Sequence, residues 1–168
     1  NSFFENSELS SSGLPSAEEL ELLNEYKNNL PKELFQEEYN PPKTDGSGFI
    51  RNELSKATQL LKESGWELKE GKLVNKESNQ PLEFEILLVS PAFERIVLPF
   101  KDNLEKLGIF VNVRTIDSAQ YQKRLETFDF DMVVSVFSQS LSPGNEQRNF
   151  WGSSAADTNG SRNIVGIK

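Results

Sequence analysis

The most regular hydrophobic pattern in the chain opens at Leu82. There Leu82, Phe84, Ile86 and Leu88 alternate with Glu83, Glu85 and Leu87, a period of two that predicts a strand growing more buried toward Val89. Phe93, Ile96, Val97, Phe100, Leu104 and Leu107 follow at helical spacing up to Gly108, with Pro99 inside the run as an expected kink. Ile109 to Ile116 reads as a second strand, with Phe110 or its neighbours facing the core. Ser118 to Phe128 reads as a helix capped by Asp117 or Ser118. Phe130 to Phe137 makes a third strand. The order β-α-β-α-β with short links predicts right-handed crossovers and a largely parallel sheet, an α/β fold.

Upstream the signals are more local. Residues 1–15 are Ser-rich, with Phe3, Phe4, Leu9 and Leu14 interspersed, and read as an extended arm. Ser16-Ala-Glu-Glu19 is a capping-box pattern. It predicts a helix that carries Leu20, Leu23, Tyr26 and Leu30 toward a core, places Lys27 on the solvent face and stops at Pro31. Residues 31–48, with Pro41-Pro42 and Gly46-Ser-Gly48, read as an irregular linker. A second helix spans Phe49 to Ser64, with Leu54, Ala57, Leu60 and Leu61 on one face and Gly65 at its end. Trp66 to Val74 reads as a short hairpin turning at Glu70-Gly71, and Asn75 to Pro81 as a polar turn. The domain expectation is therefore an arm, helix and linker over 1–48, packing on an α/β lobe over 49–168. The tail from Gly152 onward gives no further element and looks like a chain cut in mid-fold.

The third strand runs into a distinctive tract. From Met132 to Asn145 there is no charged residue, although 26% of the chain is charged. In parallel sheets ligands gather beyond the carboxyl ends of the strands, and the Ser138–Asn145 loop belongs at such an end. Ser138, Gln139 and Ser140 beside Phe137 offer neutral donors and acceptors suited to peptide backbone. The competing reading is that Ser142-Pro143-Gly144 is simply good turn chemistry. Glu146, Arg148, Phe150 and Trp151 share a short helix after the loop. Arg148 suits a carboxylate of a ligand or an ion pair with a neighbouring acid, and Trp151 a core or an interface.

Composition removes several chemistries. Eighteen basic against 26 acidic residues give a net charge of −8, which disfavours nucleic acid, because that binding rests on Lys and Arg neutralising phosphates. Cys and His are absent, so a disulfide, a thiol nucleophile, a Cys-based zinc site and a His base are excluded. No Walker A, dinucleotide or nucleophile-elbow motif occurs, and no cofactor or metal is expected. Asp129 and Asp131, two apart, are the one pair that invites an enzyme reading; acids flanking a strand usually mark a solvated edge instead. No apolar run approaches the roughly 20 residues of a membrane span. Asn1 in place of an initiating Met reads as a mature, trimmed or excised chain, without a signal sequence.

Taken in order, a set of motifs resembles one family. They are Gln59-Leu-Leu-Lys-Glu-Ser-Gly-Trp66, Gly71-Lys-Leu-Val74, Pro81-Leu-Glu-Phe-Glu-Ile86, Leu104-Glu-Lys-Leu-Gly-Ile109, Val113, Tyr121 and Phe128-Asp-Phe-Asp-Met132. They are similar to the extracellular solute-binding proteins, family 5, of oligopeptide and dipeptide ABC importers. Phe3-Phe-Glu-Asn-Ser-Glu-Leu9, Ser12-Gly-Leu-Pro15 and Leu141-Ser-Pro-Gly-Asn-Glu-Gln147 resemble its YejA-type branch.

The resemblance implies one lobe of a two-lobed periplasmic-binding-protein-like fold that closes on a peptide, with the N-terminal lobe of the same protein as its missing partner. It implies a peptide or peptide-like ligand, ABC transporter permease subunits as partners, no enzyme activity, and a periplasmic or extracellular lipid-anchored location. Carried over residue by residue, the ligand contacts fall on Val136, Phe137, Ser138 and Gln139, with Ser140, Leu141, Arg148 and Trp151 completing the candidate site. Many relatives place an aspartate for the peptide amine where this chain has Ser140, so blocked or internal peptide segments become the expected ligands. The alternative is a stand-alone α/β scaffold or protein-interaction domain without small-ligand binding.

Overall fold

The structure is a computed structural model that describes residues 4–5, 7–138, 140 and 142–168. The chain divides into two compact units, Asn1–Gly48 and Phe49–Lys168.

In the first unit, both halves of the capping box form at the start of helix α1 (Ala17–Leu23). The Glu19 N–H donates to Ser16 Oγ at 3.3 Å, and the Ser16 N–H donates to Glu19 Oε2 at 2.7 Å. The expected single helix to Leu30 does not form. A 3-10 turn over Asn24–Tyr26 replaces its second half, because Asn24, Asn28 and Asn29 favour local backbone bonding over helix continuation. Tyr26, expected in a core, is 61% exposed. The segment read as wholly irregular contains a short helix α2 (Glu33–Gln36), and Lys27 Nζ sits 5.6 Å from the Phe35 ring centroid.

The second unit opens with helix α3 (Arg51–Glu63), followed by Gly65 in the left-handed region at φ 85°. Strands β1 (Trp66–Lys69) and β2 (Lys72–Asn75) pair antiparallel. Their turn residues Glu70 and Gly71 both have positive φ, the backbone that a two-residue hairpin with right-handed strand twist requires.

Strand β3 (Glu83–Leu88) lies at the centre of a parallel sheet of order β4-β3-β5, with β4 at Phe110–Thr115 and β5 at Met132–Val133. Glu83 pairs with Phe110 at one end of the β3–β4 ladder and Leu88 with Thr115 at the other. The connections are helix α4 (Glu94–Glu105) and helix α5 (Ser118–Glu126). Ile86, Leu87, Leu88 and Val111 are inaccessible or nearly so, and Leu73, Val97 and Ile109 close the core around them. The hairpin is docked by Gly108: the Leu73 N–H donates to its carbonyl at 2.8 Å. At φ 83°, a Cβ on Gly108 would sit 2.9 Å from that nitrogen, so only glycine fits.

Two expectations need correction. Phe93, Leu104 and Leu107 pack on the core with Val97, but Ile96 and Phe100 are 60% and 46% exposed. The three-stranded sheet is too narrow to cover the whole stripe of α4. On β4 the expectation that Phe110 or a neighbour faces the core is met by Val111, while Phe110 itself is 60% exposed. The third strand, expected over Phe130–Phe137, is confined to Met132–Val133. It pairs with Ile86 and Leu87, and β3 ends one residue later, at Leu88, so residues 134–137 run past the sheet without a ladder partner.

Candidate functional site

The segment past the sheet is held by side chains instead of a strand. Tyr121 is buried on α5, and its hydroxyl donates to the Val134 carbonyl oxygen at 2.7 Å. Arg162 Nη2 donates to the Val136 carbonyl oxygen at 3.2 Å, and the same guanidinium lies 5.6 Å from the Phe150 ring centroid. Alternate carbonyls are thus occupied. Among the described residues, the main-chain N–H and C=O groups of Ser135, Phe137 and Ser138 make no hydrogen bond. A protein segment with unpaired backbone groups next to a sheet end is a ready edge for another chain's backbone.

Beside this edge stands an aromatic cluster. Phe137 stacks on Trp151 with centroids 5.2 Å apart and meets Phe150 edge-on at 5.3 Å. Phe150 is the buried anchor of helix α6 (Glu146–Trp151), and Trp151 Nε1 donates to Gln147 Oε1 at 3.1 Å. Stacked and edge-on rings contribute about 0.5–1.5 kcal/mol per pair beyond area burial, so this cluster fixes where the strand end points. Val136, between half-buried Ser135 and Phe137, is 68% exposed.

The remaining candidates fall around this frame. Ser138 and Ser140 are exposed, and Ser140 Oγ donates to the Ser142 carbonyl. Gln139 and Leu141 lie outside the described residues. Arg148 is exposed on α6, and among the described residues its guanidinium has no acid partner. Val136, Phe137 and Trp151 are therefore brought into one neighbourhood, with Arg148 on the same helix as Trp151.

Asp129 and Asp131 are used structurally. Arg124 Nε donates to Asp129 Oδ2 at 3.1 Å, and the Glu85 N–H donates to Asp131 Oδ2 at 2.9 Å. Arg124 Nη1 also reaches Glu85 Oε1 at 2.8 Å, which holds the guanidinium still more firmly protonated than usual, with the nearby Asp129 adding to the effect. These bonds join α5, β3 and the start of β5. Among the described residues no group of His, Cys, Asp and Glu is placed to hold a metal ion, and no helix is long and apolar enough to cross a membrane.

Sequence reasoning missed Tyr121 and Arg162 as the groups that hold the strand end. It also missed Asn163, fully buried, whose Nδ2 donates to the carbonyls of Gly152 and Ile167 and whose Oδ1 accepts from the Ile167 N–H. Tyr121 sits on an apolar helix face, a usable signal. Arg162 and Asn163 lie in a polar tail without periodicity, where no local pattern marks them.

The sequence model of the bacterial extracellular solute-binding proteins, family 5 Middle, matches residues 24–159. The probable peptide-binding protein YejA of Agrobacterium fabrum is 46% identical over 167 residues, which is 99% of this chain and 27% of that protein. The peptidoglycan-binding protein YepA of the same organism is 40% identical, again over 99% of this chain and 27% of the relative. The chain thus spans about a quarter of the length of the relatives it matches. Among solved structures, the oligopeptide-binding protein AppA of Bacillus subtilis, in complex with a nonapeptide, superposes with a TM-score of 0.60 at 26% identity. That match covers 77% of this chain and 25% of AppA.

Proposed function

The chain belongs to the bacterial extracellular solute-binding proteins of family 5, and from that premise we propose that it forms part of the peptide-binding component of an ABC importer. The observation that carries this reading is the open main-chain edge at Ser135, Phe137 and Ser138, flanked by the Phe137–Trp151 stack. An extended peptide gains affinity there by backbone pairing, largely independent of its side chains. Residues 49–168 serve as one ligand-binding lobe, with 1–48 as its extension, and a second lobe closes over the ligand. Permease subunits receive the loaded protein outside the cytoplasmic membrane, in the periplasm or anchored by lipid. No catalytic role is assigned to any residue.

Ligand chemistry follows from the charges around the edge. The tract from Met132 to Asn145 carries none, so it accepts amide backbone without demanding a charged terminus. Ser140 replaces an acid that would pair with a free amine, which favours blocked or internal peptide segments. Arg148, exposed and without an acid partner among the described residues, receives an anionic group of the ligand. The names of the relatives, peptide-binding and peptidoglycan-binding, both denote ligands that contain peptide segments. Native mass spectrometry of the full-length protein tests the reading. Co-purified peptides with blocked or absent free amines are expected, and a bound ligand without amide groups would reject it.

A further inference from the structure

We propose that the groove between α3, the β1–β2 hairpin and the end of α4 is a second binding site, which takes a small anion with an apolar body. It shares no residue with the strand-end tract. The cavity has a volume of about 310 Å3 and lies wholly within the unit Phe49–Lys168. Its floor is apolar. Leu73 belongs to the core, and Leu61, Trp66 and Leu107 pack against that core while remaining only partly buried. This volume is near the lower end of ordinary ligand pockets and matches a single ring or a chain of about eight carbons.

The rim is cationic. Lys62, Lys76 and Lys106 line the same cavity, and among the described residues none of them makes a direct ion pair with a carboxylate, although Lys76 acts at longer range on Glu67. Lys76 Nζ donates to the Lys62 carbonyl at 3.3 Å, and Lys106 Nζ to Asn103 Oδ1 at 2.9 Å. The lining acid, Glu67, is neutralised by Lys69 at 2.7 Å. Each lysine has a local rationale, since Lys62 lies in the last turn of α3 and Lys106 directly follows α4, where cations complement the helix dipole. Those separate rationales do not account for their meeting around one apolar floor in a chain of net charge −8. Charge complementarity at the rim selects an anion, and the half-covered Trp66 and Leu107 select an apolar body.

Octanoate is the probe. Titrated against the 168-residue chain, it should change Trp66 emission saturably with a Kd below about 1 mM at low salt. The response should persist in Trp151→Phe and vanish in Trp66→Phe. Octylamine, with the same chain and the opposite charge, should bind about tenfold more weakly or not at all. The Lys62→Gln/Lys106→Gln double variant should weaken octanoate about fivefold or more, while Lys62→Arg/Lys106→Arg retains it. Lys62 and Lys106 are both exposed, so both double variants should fold, and circular dichroism verifies it. Equal binding of octanoate and octylamine overturns the proposal, as does undiminished binding by the double Gln variant or no saturation below about 10 mM.

Discussion

The Tyr121 hydroxyl donates to the Val134 carbonyl oxygen across 2.7 Å, and so ties α5 to the first residue beyond β5. This bond and the one from Arg162 to Val136 take the place of a strand partner for residues 134–137. Tyr121→Phe keeps the buried ring and deletes the donor. It is expected to cost about 1 kcal/mol in urea unfolding and to raise amide exchange selectively over residues 134–138. A loss spread evenly across the sheet would mean that Tyr121 only fills space.

Burial also holds the Tyr121 phenol above its ordinary pKa of about 10. The native state therefore keeps the proton at pH values where the unfolded chain has lost it. Stability from this group is complete below about pH 10 and falls as pH rises through the elevated native value. Alkaline unfolding curves of the native chain and Tyr121→Phe should converge in that window, with the tyrosinate absorbance of Tyr121 appearing last.

Arg124 divides its guanidinium between two acids of unequal burial. The Glu85 side chain is 19% exposed and the Asp129 side chain 71%. The screened contact to Asp129 contributes little, whereas the sheltered one to Glu85 is a charge-assisted bond with fewer competing waters. Glu85→Gln should cost about 1–2 kcal/mol and Asp129→Asn less than about 0.5 kcal/mol, by thermal or urea unfolding. The reverse ranking would place the fixing role on Asp129. Sensitivity to salt should run in the opposite order, with the exposed Asp129 contribution lost first.

What the sequence displays and what it conceals follow from range. Alternation in Leu82–Leu88 and the Glu70-Gly71 turn are local, and both elements form where they are expected. The Ser16–Glu19 capping box is local too and forms completely. The third strand fails at long range: Val134 to Phe137 have strand-like residues, but β3 stops at Leu88 and offers them nothing to pair with. The fate of Phe110 and Ile96 likewise depends on how much of each face the sheet covers, which no single segment reveals. In the site, the Phe137 and Trp151 neighbourhood was legible because a charge-free tract and an aromatic pair mark it. Arg162, which fixes Val136, lies 26 residues away and carries no local mark.

Asn163 is fully buried, and its side chain satisfies the Gly152 carbonyl and both main-chain groups of Ile167. The two carbonyls require the amide's N–H groups. Asn163→Asp presents oxygen to both and adds a charge in a buried site, so it should destabilise by about 3 kcal/mol or more. Asn163→Ala deletes the bonds without introducing repulsion and should cost less. Chemical denaturation of both variants checks the order, and an Asp variant milder than the Ala variant would show that the tail reorganises.

In the proposed reading, Ser140 sets the terminal chemistry of the peptide ligand. The loop from Met132 to Asn145 carries no charge, so an ammonium group brought to it would lose hydration and find only hydroxyl and carbonyl dipoles. A blocked terminus loses much less. Ser140→Asp in the full-length protein introduces the missing anion at an exposed position, where it adds no buried charge to the unliganded state. A hydrogen bond to a charged group is worth about 1.5–3 kcal/mol, and partial solvent screening takes the expectation to the lower bound. Trialanine should therefore bind the variant about tenfold more tightly than it binds the native protein, while N-acetyl-trialanine gains nothing or weakens. Calorimetry with both peptides separates the outcomes. Equal gains for the two would place the effect on loop conformation, and tight trialanine binding by the native protein would move the amine anchor to another residue.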